Sequence, residues 1–176
     1  MKKHLPALIL LSAVSAHTFA NQPAQLSLPG MNLPDGNVKG VRATLLYGQT
    51  PQVTGLNLTL IGLSETQQFS GLNIDFFGAN RVTQSSTGLK LGLANWNDNV
   101  AKGVDIGFLN YTGGMFHGLQ WGAVNYAGSL KGLQFGLFNA TNRIEKGVQL
   151  GFINYDASGT FVSENLPVFP IINARF

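Results

Sequence analysis

The sequence predicts an all-β protein made of short strand repeats, expected first as an antiparallel up-and-down outer-membrane-type barrel of about eight to ten strands. Three observations carry that expectation. A glycine-led phrase recurs at Gly88, Gly103, Gly118, Gly132 and Gly147, with fainter versions at Gly40, Gly55 and Gly71. From Val38 onward, apolar residues alternate with small or polar ones at the two-residue period of a strand, and no stretch holds a helical period. Only 11% of the residues are charged, well below the roughly 25% usual in soluble domains.

Residues 1–20 read as a signal peptide. Lys2, Lys3 and His4 form a basic start, Leu5 to Ala16 an apolar run, and Thr18-Phe19-Ala20 ends in small residues suited to cleavage after Ala20. The run is too short to span a bilayer as a helix, which takes about 20 residues. Without Lys2 and Lys3 the chain has nine basic residues against eight acidic ones. So balanced and scattered a charge leaves no footprint for nucleic acid. There is no cysteine, so stability must come from packing, hydrogen-bond ladders or a membrane, and a lipid anchor on cysteine is excluded. Together these features place the expected location in the outer membrane or at the cell surface of a Gram-negative envelope, with the periplasm as the alternative.

Residues 21–37 are rich in Pro, Asn and Gly and are expected to form a leader with at most one short strand, near Gln25 to Leu28. Residues 38–176 form the β-repeat domain. In the unit at Gly132, Leu133, Phe135, Leu137 and Asn139 are assigned to one face, and Gly132, Gln134, Gly136 and Phe138 to the other. The segments between units (NDNVAK, TGGMFH, AGSLK, ATNRIEK) have turn composition. Residues 156–165 are the longest interruption.

A barrel explains the low charge, because Lys or Arg facing lipid costs about 2–4 kcal/mol at the midplane. Lys90, Asp75 and Asp105 all fall on the glycine face. The end of the chain resembles the C-terminal signal of outer-membrane barrels: Val168, Pro170, Ile172, Ala174 and Phe176 alternate back from a terminal Phe. Pro170 removes a ladder donor, and Ala174 stands where that signal often has an aromatic.

A β-solenoid is the alternative, and the even period favours it. The leading glycines are spaced by 15, 16, 17, 15, 15, 14 and 15 residues, whereas barrels alternate short turns with long loops. Asn95, Asn110, Asn125, Asn139 and Asn154 recur at one position. In a parallel stack they would bond one to the next, as buried amides require. Trp96, Tyr111, Tyr126 and Tyr155 follow them, awkwardly placed for a lipid-facing girdle. Against the solenoid stands the tightness of so short a coil. A soluble sandwich is a third possibility.

The units resemble a family of short surface repeats in exported bacterial proteins, reading roughly G-φ-Q-φ-x-G-φ-x-N. The resemblance covers Gly88 to Asn154 well and Gly40 to Gly78 loosely. It implies an envelope or surface location and no activity.

No catalytic constellation stands out. Outside the signal the only histidine is His117, in a turn; Ser129, Asp98 and Asp105 do not assemble around it in any evident order. No cluster has metal-ligand spacing, and the GxGxxG-like glycines lie inside strands with no helix following. Thr44, Thr59, Thr112 and Thr141 do not share a position, which argues against an ice-binding face. A polar row of Asn57, Asn73, Lys90, Asp105, Gln120, Gln134 and Gln149 is expected to fill a narrow lumen by hydrogen bonding rather than to line a pore. The expected function is therefore non-enzymatic, structural or interactive, with no cofactor or metal. Outer-membrane lipid is the expected partner, with the barrel-assembly machinery if the chain is a barrel. An exported solenoid binding module is the alternative, and a lipid-modifying enzyme the third class.

Overall fold

The structure is a computed structural model and describes residues 21–176; the signal peptide expected at 1–20 lies outside the described residues. Six strands form one sheet: β1 (Asn21–Leu28), β2 (Met31–Leu33), β3 (Asn37–Asn97), β4 (Val100–Trp121), β5 (Val124–Asp156) and β6 (Val168–Arg175). β3 is not a single straight strand. With β4 and β5 it winds through eight coils, each opened by one leading glycine from Gly40 to Gly147.

The coils stack in parallel, like on like. β3 pairs with β4 with Gly88 beside Gly103, Lys90 beside Asp105 and Asn95 beside Asn110. β4 pairs with β5 with Gly118 beside Gly132 and Gln120 beside Gln134. The barrel is thereby overturned: an up-and-down barrel requires antiparallel neighbours, and here they run the same way. The fold is a β-solenoid. The equal period has this cause, because each residue meets its own counterpart one coil away. The assembly machinery, invoked only for a barrel, goes with it.

Burial shows how so short a coil closes. The interior takes the third residue after each break (Lys90, Asp105, Gln120), then the asparagine (Asn95, Asn110, Asn125), then one apolar residue near the end of the coil (Ala101, Phe116, Leu130, Ile144). Between the first two, two adjacent residues both point outward, as at Phe76-Phe77 and Leu60-Ile61. Such a pair breaks the two-residue alternation and turns a corner. Two assignments for the unit at Gly132 are corrected by it: Phe138 is exposed and Asn139 is buried. The segments read as turns form the third side of the coil and stay largely in β4 and β5.

The leading glycine makes the other corner. At Gly118 φ is +139°, and a Cβ there would collide with the carbonyl of Gly103 directly beneath it. Its task is to pass a left-handed corner under a stacked carbonyl, not to leave room for facing side chains.

Both ends of the stack are covered. Residues 21–37, expected as a leader, supply β1, which pairs parallel with β3, and β2, which returns antiparallel on β1. At the far end β6 lies antiparallel on β5. Phe176 follows β6 and is 94% exposed. The strand preceding Phe176 is thus a lid on the last coil rather than a barrel stave. Covered ends block the edge-to-edge pairing that an open solenoid invites.

Candidate functional surface and the interior that supports it

The solenoid is polar inside and apolar outside. Asn95, Asn110, Asn125, Asn139 and Asn154 are buried and form the expected ladder. Asn95 Nδ2 donates to Asn110 Oδ1 at 2.8 Å, Asn110 to Asn125 at 2.8 Å, Asn125 to Asn139 at 2.9 Å and Asn139 to Asn154 at 2.8 Å. The second N–H of each of the first four goes to a backbone carbonyl, at 3.0 Å to Ile106 from Asn95 and at 3.0 Å to Trp121 from Asn110. Asn80 heads the ladder, 2.6 Å from Asn95. Reading units from the leading glycine misses Asn80, because its coil is 17 residues long and displaces it from the shared position.

The polar row is buried too, and its glutamine part runs the other way. Gln149 Nε2 donates to Gln134 Oε1 and Gln134 to Gln120, both at 2.8 Å, and Asn173 of β6 donates to Gln149 at 3.3 Å. The amide dipoles of the two ladders therefore oppose one another, while each chain of bonds reinforces itself. Asn57 donates to Asn73, which donates to Asp75. Arg42 also belongs to this row, although its unit is one of the faint ones in the sequence. It occupies the third position of the coil at Gly40, fully buried, and donates to Ser27 and Ser64 at 2.9 Å each. Burial brings its guanidinium down to about 10.

Lys90 and Asp105 form a buried ion pair of 3.1 Å, each 1% exposed. Lys90 Nζ also donates to Ser86 and Asn97, and Asn97 donates to Asp105 at 3.0 Å. Burial pushes Lys90 below its usual range and Asp105 above its own, each against the attraction of the other. Desolvation thus outweighs pairing, as expected for buried charges. Burial likewise raises Asp75, although the amides of Asn80 and Asn73 hold it partly down. Among the described residues the polar row is buried and fills the interior as hydrogen-bonded structure.

The apolar side chains that a soluble protein would bury face outward. Leu60, Phe76, Leu93, Phe108, Leu137 and Phe152 form a ridge up the solenoid, with Phe108 69% and Phe152 76% exposed. A shallow groove lined by Phe135, Leu150, Phe152 and Ile171 opens beside it. With coils about 4.8 Å apart and five residues per side, this wall measures about 40 by 15 Å. That is at the upper end of the about 300–600 Å² spanned by a monomer's largest apolar patch, a size that is often functional. Past the ridge, Trp96 and Tyr111 stack at 4.1 Å and Tyr111 and Tyr126 at 5.1 Å, an outward aromatic row.

The residues weighed for catalysis do not converge. His117 is exposed, Asp105 is sealed against Lys90, Asp98 accepts from Arg81 and Trp96, and Ser129 donates to Glu145. Among the described residues no group of three or more His, Asp or Glu is placed to hold a metal ion. Thr44, Thr59, Thr112 and Thr141 are all buried, so none forms an ice-facing row. No family model, curated protein or solved structure matches the chain.

Proposed function

We propose that this chain is an exported, non-enzymatic envelope protein that docks through its apolar wall, on the outer membrane or at the cell surface. The observation that carries this is the inversion of the fold. Burying Asn, Gln, Lys and Asp while exposing Leu, Ile and Phe is unfavourable in water unless the exposed wall is covered. A covered wall reverses that balance, at about 25 cal/mol for each Å² of apolar surface removed from water. The signal peptide expected at residues 1–20, with its apolar run from Leu5 to Ala16, and the likeness to exported surface repeats support delivery to the envelope. The ladders make the wall rigid, so its geometry is a property of the folded chain alone.

Fractionation of cells producing the full chain tests this. The protein should pellet with the envelope and leave it with detergent; recovery as a soluble species after a salt wash alone would overturn the reading. Replacing the two ridge residues Phe108 and Phe152 by Ser should shift the protein to the soluble fraction without loss of fold by circular dichroism. An unchanged distribution would sink the assignment of the wall.

A further inference from the structure

The wall has a charged border on one long edge. Lys102, His117, Lys131 and Lys146 each immediately precede a leading glycine, and all four are exposed. Stacking aligns them: His117 pairs with Lys131 across β4 and β5. Gly103 underlies Gly118, and Gly132 underlies Gly147, which carries Lys102 to His117 and Lys131 to Lys146. They therefore stand one above another at the strand spacing of about 4.8 Å. Lys131 and Lys146 are thus adjacent like charges, with Lys102 two coils from Lys131, and exposed water screens their repulsion only in part.

No carboxylate relieves them. Among the described residues the ion pairs are made by Arg81, with Glu65 and Asp98, and by Lys90, with Asp105. Glu145 sits beside Lys146, but it accepts from Ser129 and is offset by the exposed Arg143. The first four coils carry Lys39, Thr54, Ser70 and Thr87 at the equivalent position, so the charge gathers on the last four. There a basic row, one residue wide, is followed directly by the apolar wall and ends at the Phe108–Phe152 ridge.

We infer that this half of the solenoid lies on an anionic bilayer, its wall at the acyl boundary and its basic row on the lipid phosphates. This rests on the docking role proposed above and names its partner. A basic flank beside an apolar face is the arrangement by which interfacial segments bind membranes. Charge complementarity selects the occupant. A second copy of the chain would bring lysines, not carboxylates, to the same edge, and an uncharged apolar partner would leave the row unrelieved. A bilayer of anionic lipid supplies both halves at once.

Vesicle co-sedimentation of the purified full chain decides it, with phosphatidylcholine vesicles made with and without phosphatidylglycerol. Binding should need phosphatidylglycerol and weaken as salt rises. The triple variant Lys102→Gln/Lys131→Gln/Lys146→Gln should bind about a hundredfold less tightly, with an unchanged melting curve. The corresponding triple Lys→Arg variant should bind like the parent, which separates lost charge from lost fold. Equal binding to both vesicle types, salt-insensitive binding by the parent, or undiminished binding by the Gln variant would overturn the anionic partner while leaving the apolar wall as a docking face. Binding to neither vesicle, with a dimer in solution that Phe108→Ser abolishes, would also overturn it and assign the wall to self-association. Failure of Phe108→Ser/Phe152→Ser to alter any association would remove the docking role itself.

Discussion

The coils before Gly88 and those after it share one plan but satisfy it differently. After Gly88 the spacing is nearly constant, the rows beyond the Lys90–Asp105 pair are amides, and among the described residues every buried side-chain donor and acceptor has a partner. Before it the spacing runs 15, 16 and 17, and the interior holds Arg42 and Asp75 beside the amides of Asn57 and Asn73. All the buried polar atoms without a partner among the described residues lie there, including Arg42 Nη2, Asn57 Oδ1, Asp75 Oδ1 and Asn80 Oδ1. A constant period lets each amide meet an identical amide at hydrogen-bond distance. In the 17-residue coil the extra residues displace Asn80, and in the coil at Gly40 an Arg stands where later coils have an amide, so part of the bonding capacity goes unmatched. Unmatched polar atoms cost about 1–3 kcal/mol each, so the regular half should be the more stable one.

The joint between the halves gives the largest expected effect. Asp105→Leu leaves Lys90 buried beside no carboxylate except Asp75 and should cost about 3–5 kcal/mol, read by chemical denaturation. The double variant Lys90→Gln/Asp105→Gln should recover most of that loss, because it extends the Gln120–Gln134–Gln149 ladder toward the N-terminal half. A double variant as unstable as the single one would mean that the pair does more than fill two rungs.

Next comes a direct contrast of the ladders. Asn110→Ala removes a bond from three groups, the Asn95 amide, the Asn125 side-chain carbonyl and the Trp121 backbone carbonyl, and should cost about 2–5 kcal/mol. Asn80→Ala strands only Asn95 Oδ1, since Asp75 keeps its bond from Asn73, and should cost about half as much. Equal losses by denaturation would erase the distinction between matched and mismatched coils.

The same contrast explains what could be read beforehand. The two faces, the asparagine ladder and the buried polar row were legible because they depend only on residue type at a fixed period. Strand direction was not, since alternation is identical in parallel and antiparallel sheets; only equal spacing bore on it, against the alternation and terminal Phe176. The corner at Leu137-Phe138 was visible as two adjacent apolar residues, but strict alternation assigned the second to the wrong face. Arg42 and Asn80 escaped because they lie in the faint units, where chemistry changes or register slips while the interior position persists.

The smallest expected effect tests the N-terminal half by acid. Burial holds the Asp75 carboxyl above its ordinary value of 3.8. Between that value and its raised folded one, the folded chain binds a proton that the unfolded chain does not. Stability from this group is therefore fully present below the unfolded value and is lost as pH rises through the folded one. Across that window the melting temperature should rise as pH falls, and Asp75→Asn should flatten the rise. The variant keeps an oxygen to accept from Asn73 and Asn80 while removing the charge that burial penalises, so near neutral pH it should match or exceed the parent. A variant that melts lower at neutral pH and keeps the acid-side slope would show that Lys90 holds Asp75 charged across the coil boundary, coupling the two halves that hydrogen-bond matching sets apart.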